Sequence, residues 1–268
     1  MILLYHGVSD VKYGENQSIK TFEKHIKFIS KNFKIIPYHK YSLENHQKKE
    51  VVLTFDDGFK NNYTNIKPIL EKYNTPAIFF INNRHSERGK YLWFAYLSAL
   101  ENFFNSEGFT FRGKYYDMSK KNRKKTVNKL KSLLFGLDPY PHAMYSAIDN
   151  ELPRVNGFMS DYEINDTIKG LSSSEISEIS KSDLFDIGIH TVDHPFLTMC
   201  DSDEIKKQIS LNKQYLEEIV QRKIDIIAYP SGDYSQSVIE YCKEINIKYG
   251  YAVAPIENQD QQFEYERI

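Results

Sequence analysis

The stretch Val51-Val52-Leu53-Thr54-Phe55-Asp56-Asp57-Gly58 decides how the rest of the chain is read. Four β-prone residues and an aromatic ring lead into two adjacent carboxylates and a glycine. That is the pattern of a buried strand ending in a tight turn, with two acids at its mouth. Asp-Asp-Gly is also ordinary turn chemistry. Adjacent acids that are buried repel each other and lose solvation, which a nearby cation offsets. Whether this is a polar turn or a site depends on what the other strands bring beside it.

Working outward, Ile2–Tyr5, Lys34–Pro37, Ala77–Ile81, Phe185–Ile189, Ile224–Tyr229 and Tyr249–Val253 also read as strands. Between them lie helical patterns. Phe22, Ile26 and Ile29 recur at helical spacing, with Ser18 or Thr21 as cap. Tyr63, Ile66, Ile69, Leu70 and Tyr73 form an apolar stripe in which Pro68 either starts the regular helix or kinks it. Ser172 with Glu175, and Asp201 with Glu204, are capping-box pairs. Seven strands that mostly alternate with helices predict an α/β fold with a parallel sheet buried on both faces. The sheet either closes as an incomplete (β/α) barrel or lies open and doubly wound.

Residues 84–160 break the alternation and read as a helical insertion or lid within a single domain spanning 1–268. Tyr91–Phe104 and Ser119–Phe135 are helical, and Pro139, Pro141, Pro153 and Gly157 mark loops. The second helix carries Lys120, Lys121, Arg123, Lys124, Lys125, Lys129 and Lys131. A solvated face is the ordinary meaning of such a run; a surface for anionic lipid, or for a sugar-nucleotide phosphate, is the sharper one.

Composition excludes several classes. Hydrophobic residues make up 41% of the 268, enough for a packed core and against disorder. The net charge of −1 gives no global field for nucleic acid. The two cysteines, Cys200 and Cys242, form neither a metal motif nor a disulfide framework. Met1–His6 is not a secretory signal, and no apolar run is long enough to span a bilayer. The chain therefore reads as cytoplasmic, or as extracytoplasmic if a leader has been removed.

His6, Asp56, Asp57, His190 and Tyr229-Pro230 each follow the C-terminal end of a strand, and in a parallel barrel those ends share one face, where active sites are built. His190-Thr191-Val192-Asp193-His194 places two histidines four apart just past a strand. With a carboxylate they make a two-histidine, one-carboxylate set for a metal ion, with positions left open for water. Convergence on one rim favours a site over a turn.

Thr54-Phe55-Asp56-Asp57-Gly58, then His190-Thr191-Val192-Asp193-His194-Pro195, then Ala228-Tyr229-Pro230-Ser231-Gly232 resemble the ordered motifs of the polysaccharide deacetylases (NodB-homology proteins, carbohydrate esterase family 4). The opening Leu4-Tyr5-His6-Gly7-Val8 and the Tyr-Pro-x-Gly form of the third motif resemble the poly-N-acetylglucosamine deacetylase branch. The resemblance implies a distorted, incomplete (β/α) barrel of about seven strands. It implies a divalent metal, usually zinc, with Co2+, Ni2+, Fe2+ or Mn2+ as other candidates, held by Asp57, His190 and His194. Asp56 would be the general base. The family's late Leu-x-His motif is missing, and His6 matches the position to which the poly-N-acetylglucosamine branch moves the general acid. The arginine that many members carry in the third motif to brace the base is also missing. Period-2 geometry separately turns Asp56 and Asp57 different ways, without assigning either a job.

The implied reaction is metal-assisted removal of the N-acetyl group from an amino sugar in a polysaccharide or a glycan precursor. An oxyanion would meet a backbone N–H near Tyr229-Pro230-Ser231-Gly232. Trp93 either stacks on a sugar ring or belongs to the core. A lipid-linked substrate would bring peripheral membrane contact. Two alternatives share the scaffold: N-deformylation of a glycan precursor, and a catalytically silent carbohydrate-binding domain. A two-carboxylate glycosidase does not fit, because adjacent acids cannot flank a glycosidic bond.

Overall fold

A computed structural model describes residues 1–13, 17–41, 49–254 and 262–268. The strands are β1 (Ile2–Tyr5), β2 (Lys34–Ile35), β3 (Glu50–Phe55), β4 (Ala77–Ile81), a hairpin of β5 (Gly108–Phe111) and β6 (Lys114–Asp117), β7 (Phe185–Ile189), β8 (Ile226–Ala228), β9 (Tyr249–Ala252) and β10 (Tyr265–Glu266). The helices are α1 (Ile19–Asn32), α2 (Lys67–Lys72), α3 (Asn83–Ser86), α4 (Trp93–Phe103), α5 (Arg123–Phe135), α6 (His142–Asn150), α7 (Asp161–Thr167), α8 (Ser173–Ser180), α9 (Ser202–Val220) and α10 (Gln236–Glu244).

Seven parallel strands form the barrel in the order β1-β3-β4-β7-β8-β9-β10. The gap between the last and the first is bridged by Ile268. Its N–H donates to Ile2 O at 3.0 Å, and its carbonyl accepts from Leu4 N–H at 2.9 Å. The expected count of seven strands holds, but its membership differs. β2 pairs only with Glu50 and Val51 at the start of β3 and lies off the barrel path. Its place is taken by β10, two residues in a Tyr-Glu-Arg stretch with too little apolar pattern to show in the sequence.

Strand alternation sorts the aromatic rings. Tyr5, Phe55, Phe79 and Phe185 face outward: Phe22 of α1 packs edge-on against Tyr5 and Phe55, and Phe79 stacks on Phe55 at 5.1 Å. Phe80 faces inward and meets Tyr251 of the non-adjacent β9 at 5.3 Å across the lumen. Two glycines make room. A Cβ on Gly188 would stand 2.4 Å from the Phe80 ring, and one on Gly250 2.3 Å from the Tyr229 hydroxyl.

The caps follow the sequence. Ser18 caps α1 and Ser172 with Glu175 forms a reciprocal capping box on α8; Asp201 caps α9, but the expected box with Glu204 is only half formed, because the Glu204 carboxylate accepts from Gln208 instead. Pro68 sits in the first turn of α2, so it starts that helix; the preceding Asn62–Ile66 is π-helical. The insertion contains more structure than its prolines and glycines suggest: the β5–β6 hairpin, and α6 directly after Pro141. Its apolar residues, from Leu92 to Met159, form a second cluster with Ile164 and Ile168 just beyond it and with Phe59 next to the Asp-Asp-Gly turn. This unit therefore packs on the barrel mouth. No helix among the described residues is long and apolar enough to cross a membrane.

Gly188→Ala should lower unfolding free energy by about 1–3 kcal/mol, the usual cost of forcing a methyl into a filled lumen. Urea denaturation reads this directly; an unchanged midpoint would mean that Phe80 moves aside without cost.

Candidate active site

The barrel delivers its polar residues to one rim. His6 follows β1, Asp56 and Asp57 follow β3, His190 follows β7, and Tyr229 follows β8. His6, Asp56, Asp57, His190, His194, Tyr229, Ser231, Gly232 and Trp93 all wall one cavity of about 260 Å³. Of the residues expected from the sequence only Pro230 is absent from its walls. Leu4, Phe94, Val253 and Arg267, which the sequence did not point to, complete it.

The two acids reach one cavity through a break in the strand. Asp56 continues the inward-facing side of β3, while Asp57 takes φ +75°, a left-handed conformation costly for a residue with a Cβ. Thr191 (φ +67°), His194 (+52°) and Ser231 (+56°) are in the same region. Four such residues at one barrel mouth show backbone strain concentrated at the site.

Asp57, His190 and His194 bring one ligand atom each to within 4.8 Å of one another, and all three residues are buried. The Nε2 atoms of both histidines lie 3.5 Å from Asp57 Oδ1. That is too long for a hydrogen bond, and both Asp57 oxygens are buried without a hydrogen-bond partner. It matches the ligand–ligand separation of about 3.4 Å that a tetrahedral ion with bonds of about 2.1 Å imposes. The tautomer is set as well: His190 Nδ1–H donates to Ala228 O at 2.7 Å, which leaves Nε2 facing the carboxylate. The three residues fit a divalent cation in donor type, spacing and unmet hydrogen bonding.

Asp56 has a different partner. Arg267 Nη1 donates to its Oδ1 at 2.6 Å, with both side chains buried. Burial alone would raise the Asp56 pKa, but Arg267 and then His190 outweigh it and hold the carboxyl below its usual range. Burial likewise pushes Asp57 up, and the surrounding His190, His6 and His194 more than reverse it. Burial lowers His194 to about 4, whereas the two aspartates hold His190 above its ordinary value against the same burial.

The His190–His194 loop is held from several sides. Asn212 Oδ1 accepts from His190 N–H, and Asn82 Nδ2 donates to His190 O. The insertion supplies the rest. Trp93 Nε1 donates to His194 O at 3.2 Å, and Tyr145 hydroxyl donates to Asp193 O at 2.6 Å. Trp93 is 5% exposed, so it is both a cavity wall and a core ring. His6 is exposed, and its carbonyl accepts from Asn62 Nδ2 at 3.0 Å. The π-helical turn thus anchors the loop that presents the His6 ring, a use often made of such turns at functional sites. In the third motif, Tyr229 N–H is spent on Tyr251 O and Gly232 N–H on Tyr229 O. Proline has no N–H, so of these four residues Ser231 alone is left to offer one to an oxyanion.

Residues 44–133 and 136–250 match the profile of the polysaccharide deacetylase family. The chain belongs to the polysaccharide deacetylase family. Among curated proteins it is similar to the Bacillus subtilis polysaccharide deacetylase homologue YxkH, with 34% identity over 88 residues, spanning 30% of this chain and 30% of that one. Among solved structures it superposes on the Streptococcus pyogenes deacetylase PplD in complex with acetate (TM-score 0.62, 18% identity, 100% of this chain and 91% of that one). IcaB from Ammonifex degensii gives a TM-score of 0.60 at 14% identity, covering 100% and 90%. The BpsB deacetylase domain from Bordetella bronchiseptica gives 0.57 at 13%, covering 99% and 93%. At these identities the superpositions establish the NodB-like distorted barrel and no more.

With no arginine in the third motif, Asp56 is braced by Arg267, which carried no motif of its own. Its position in the chain gave no signal, since it arrives just after the strand that closes the barrel. Arg267→Ala should cost about 3–5 kcal/mol, because it strands a buried carboxylate. In a double-mutant cycle with Asp56→Ala, the combined loss should fall well short of the sum; additive losses would show that the pair is not coupled.

Proposed function

We propose that this chain hydrolyses the N-acetyl amide of an amino sugar within a polysaccharide or glycan precursor. The single observation that carries the reading is Asp57: two buried, unpartnered carboxylate oxygens faced by two histidine Nε2 atoms at 3.5 Å. Family membership supplies the substrate class.

Asp57, His190 and His194 would hold a divalent metal, zinc by resemblance to the family. When bound, such an ion polarises an amide carbonyl and lowers the pKa of water. The remaining work falls to the chain's own groups. Asp56, kept ionised by Arg267, accepts a proton from the attacking water. Ser231 N–H is the backbone donor available to the oxyanion. As the C–N bond breaks, His6 gives a proton to the departing nitrogen, because an amide anion is too poor a leaving group. Water oxygen ends on the acyl carbon as acetate, and the sugar leaves as a free amine. Trp93 and Phe94 wall the cavity beside these groups.

Asp57→Ala should abolish metal uptake, read by elemental analysis of the purified protein, and acetate release from N-acetylated sugars together. Full activity in a variant that binds no metal would sink the proposal. His6→Ala should keep its metal and lose about 10²–10⁴ in kcat. A fall of less than about threefold would remove His6 as the proton donor. The same assay, read for formate on N-formylated sugars, separates deformylation from deacetylation.

A further inference from the structure

His190 and His194 are held in different ways. The His190 ring is fixed by its own hydrogen bond, from Nδ1–H to Ala228 O. A histidine that serves a metal ordinarily has such a partner behind it. His194 Nδ1 is buried and has none among the described residues. Its ring rests against Phe94, with the ring centres 4.9 Å apart. What aims this ring is the backbone, left-handed at φ +52° and tied down on every side. His194 N–H donates to Thr191 Oγ1 at 3.1 Å, and Trp93 Nε1 donates to His194 O. The Tyr145 hydroxyl donates to Asp193 O, the carbonyl that shares a peptide plane with His194 N–H.

Tyr145 is itself clamped. It stands four residues before Asp149 on α6, so the two share a face of that helix. The Arg84 guanidinium stacks on the Tyr145 ring at 3.5 Å, donates to Asp149 Oδ1 at 2.7 Å and donates through Nε to Tyr91 O. Arg84 Nη1 also lies 3.8 Å from Asp193 Oδ1. From the other side Gln208 holds Asp193 by both its N–H and its carboxylate. Burial pushes the Tyr145 pKa up, so its hydroxyl stays protonated as a donor. The proposed reaction uses none of Arg84, Tyr145 and Asp149.

We propose that Tyr145 is a positioning residue for metal binding: its hydroxyl, steadied by Arg84, fixes the peptide that aims His194 at Asp57. The insertion is then part of the metal site and not a cover for it. The inference rests on the reading of Asp57, His190 and His194 as metal ligands and deepens it. Without the Tyr145 hydroxyl His190 keeps its anchor, whereas His194 loses one of the few it has.

The test uses the full chain, stripped of metal by a chelator and titrated with Zn2+ against a chromophoric competitor. The visible spectrum of bound Co2+ reports ligand geometry. Tyr145→Phe keeps the ring that Arg84 stacks on and removes only the hydroxyl. It should weaken Zn2+ binding about 10- to 100-fold, the usual cost of losing a group that orients a metal ligand, and change the Co2+ bands. Arg84→Lys, which keeps the charge and loses the stack, should move both readouts the same way. Two variants on separate elements keep the test decisive if one fails to fold. Val127→Ala, a buried site on α5 in the same insertion core, should lower unfolding free energy and leave both readouts unchanged. Zn2+ affinity within about threefold of wild type in Tyr145→Phe, with the same Co2+ spectrum, overturns the proposal. An equal loss in Val127→Ala overturns it too, because general loosening of the insertion would then be enough. A wild-type chain that takes up neither ion removes the metal site and the proposal with it. Metal uptake that depends on Tyr145 but brings no acetate release keeps the positioning role and removes the deacetylase reading, so the two fail separately.

Discussion

The buried pair between Asp56 and Arg267 is the contact on which both the barrel and its site depend. The carboxylate stands at the end of β3, and the guanidinium arrives on the segment that follows β10, 211 residues later. Neither charge would be tolerable alone in that position, since an unpaired buried charge costs several kcal/mol. Their pairing therefore requires the last strand to dock between β9 and β1. The neighbouring backbone completes the same step: Arg267 N–H donates to Ala252 O, and Ile268 bonds to β1 on the other side. Closure of the sheet and ionisation of Asp56 are one structural event.

The second constraint is the insertion. It reads as an interruption of the alternating pattern, yet it reaches the loop that carries both histidines. Trp93 and Tyr145 donate to His194 and Asp193 carbonyls, and Arg84, stacked on the Tyr145 ring at 3.5 Å, pairs with Asp149 and lies near Asp193. A left-handed residue such as Thr191 or His194 persists only where its surroundings over-determine it. The insertion core supplies much of that surrounding. It also forms one wall of the site's cavity through Phe94, so its packing bears on what the site admits.

Much of this was legible in the chain. The apolar runs before Asp56, His190 and Tyr229 announced buried parallel strands. The position of each polar group just after a strand announced one rim, because parallel strands point their C-terminal ends the same way. Capping residues such as Ser18 and Ser172 carry their hydrogen-bond partners within three residues, so they too can be read locally. The insertion was less legible: its hairpin and α6 sit among residues with weak periodicity, and its prolines read as loops.

What the sequence by itself determined was the periodicity of the elements, the polarity of their ends, and the resemblance that groups Asp57, His190 and His194. These are local properties, written in runs of fewer than about ten residues. The opening pair of acids shows where that ends. Alternation said that Asp56 and Asp57 point apart; in the structure the left-handed turn at Asp57 brings both onto one cavity, 3.9 and 3.5 Å from His190 Nε2. Only tertiary structure decided that Asp56 meets Arg267, that Tyr229 N–H belongs to the sheet, and that Tyr145 reaches Asp193. Each depends on which distant segments close the barrel and cover its mouth, and such pairings are settled by packing and charge between strands that no local pattern links.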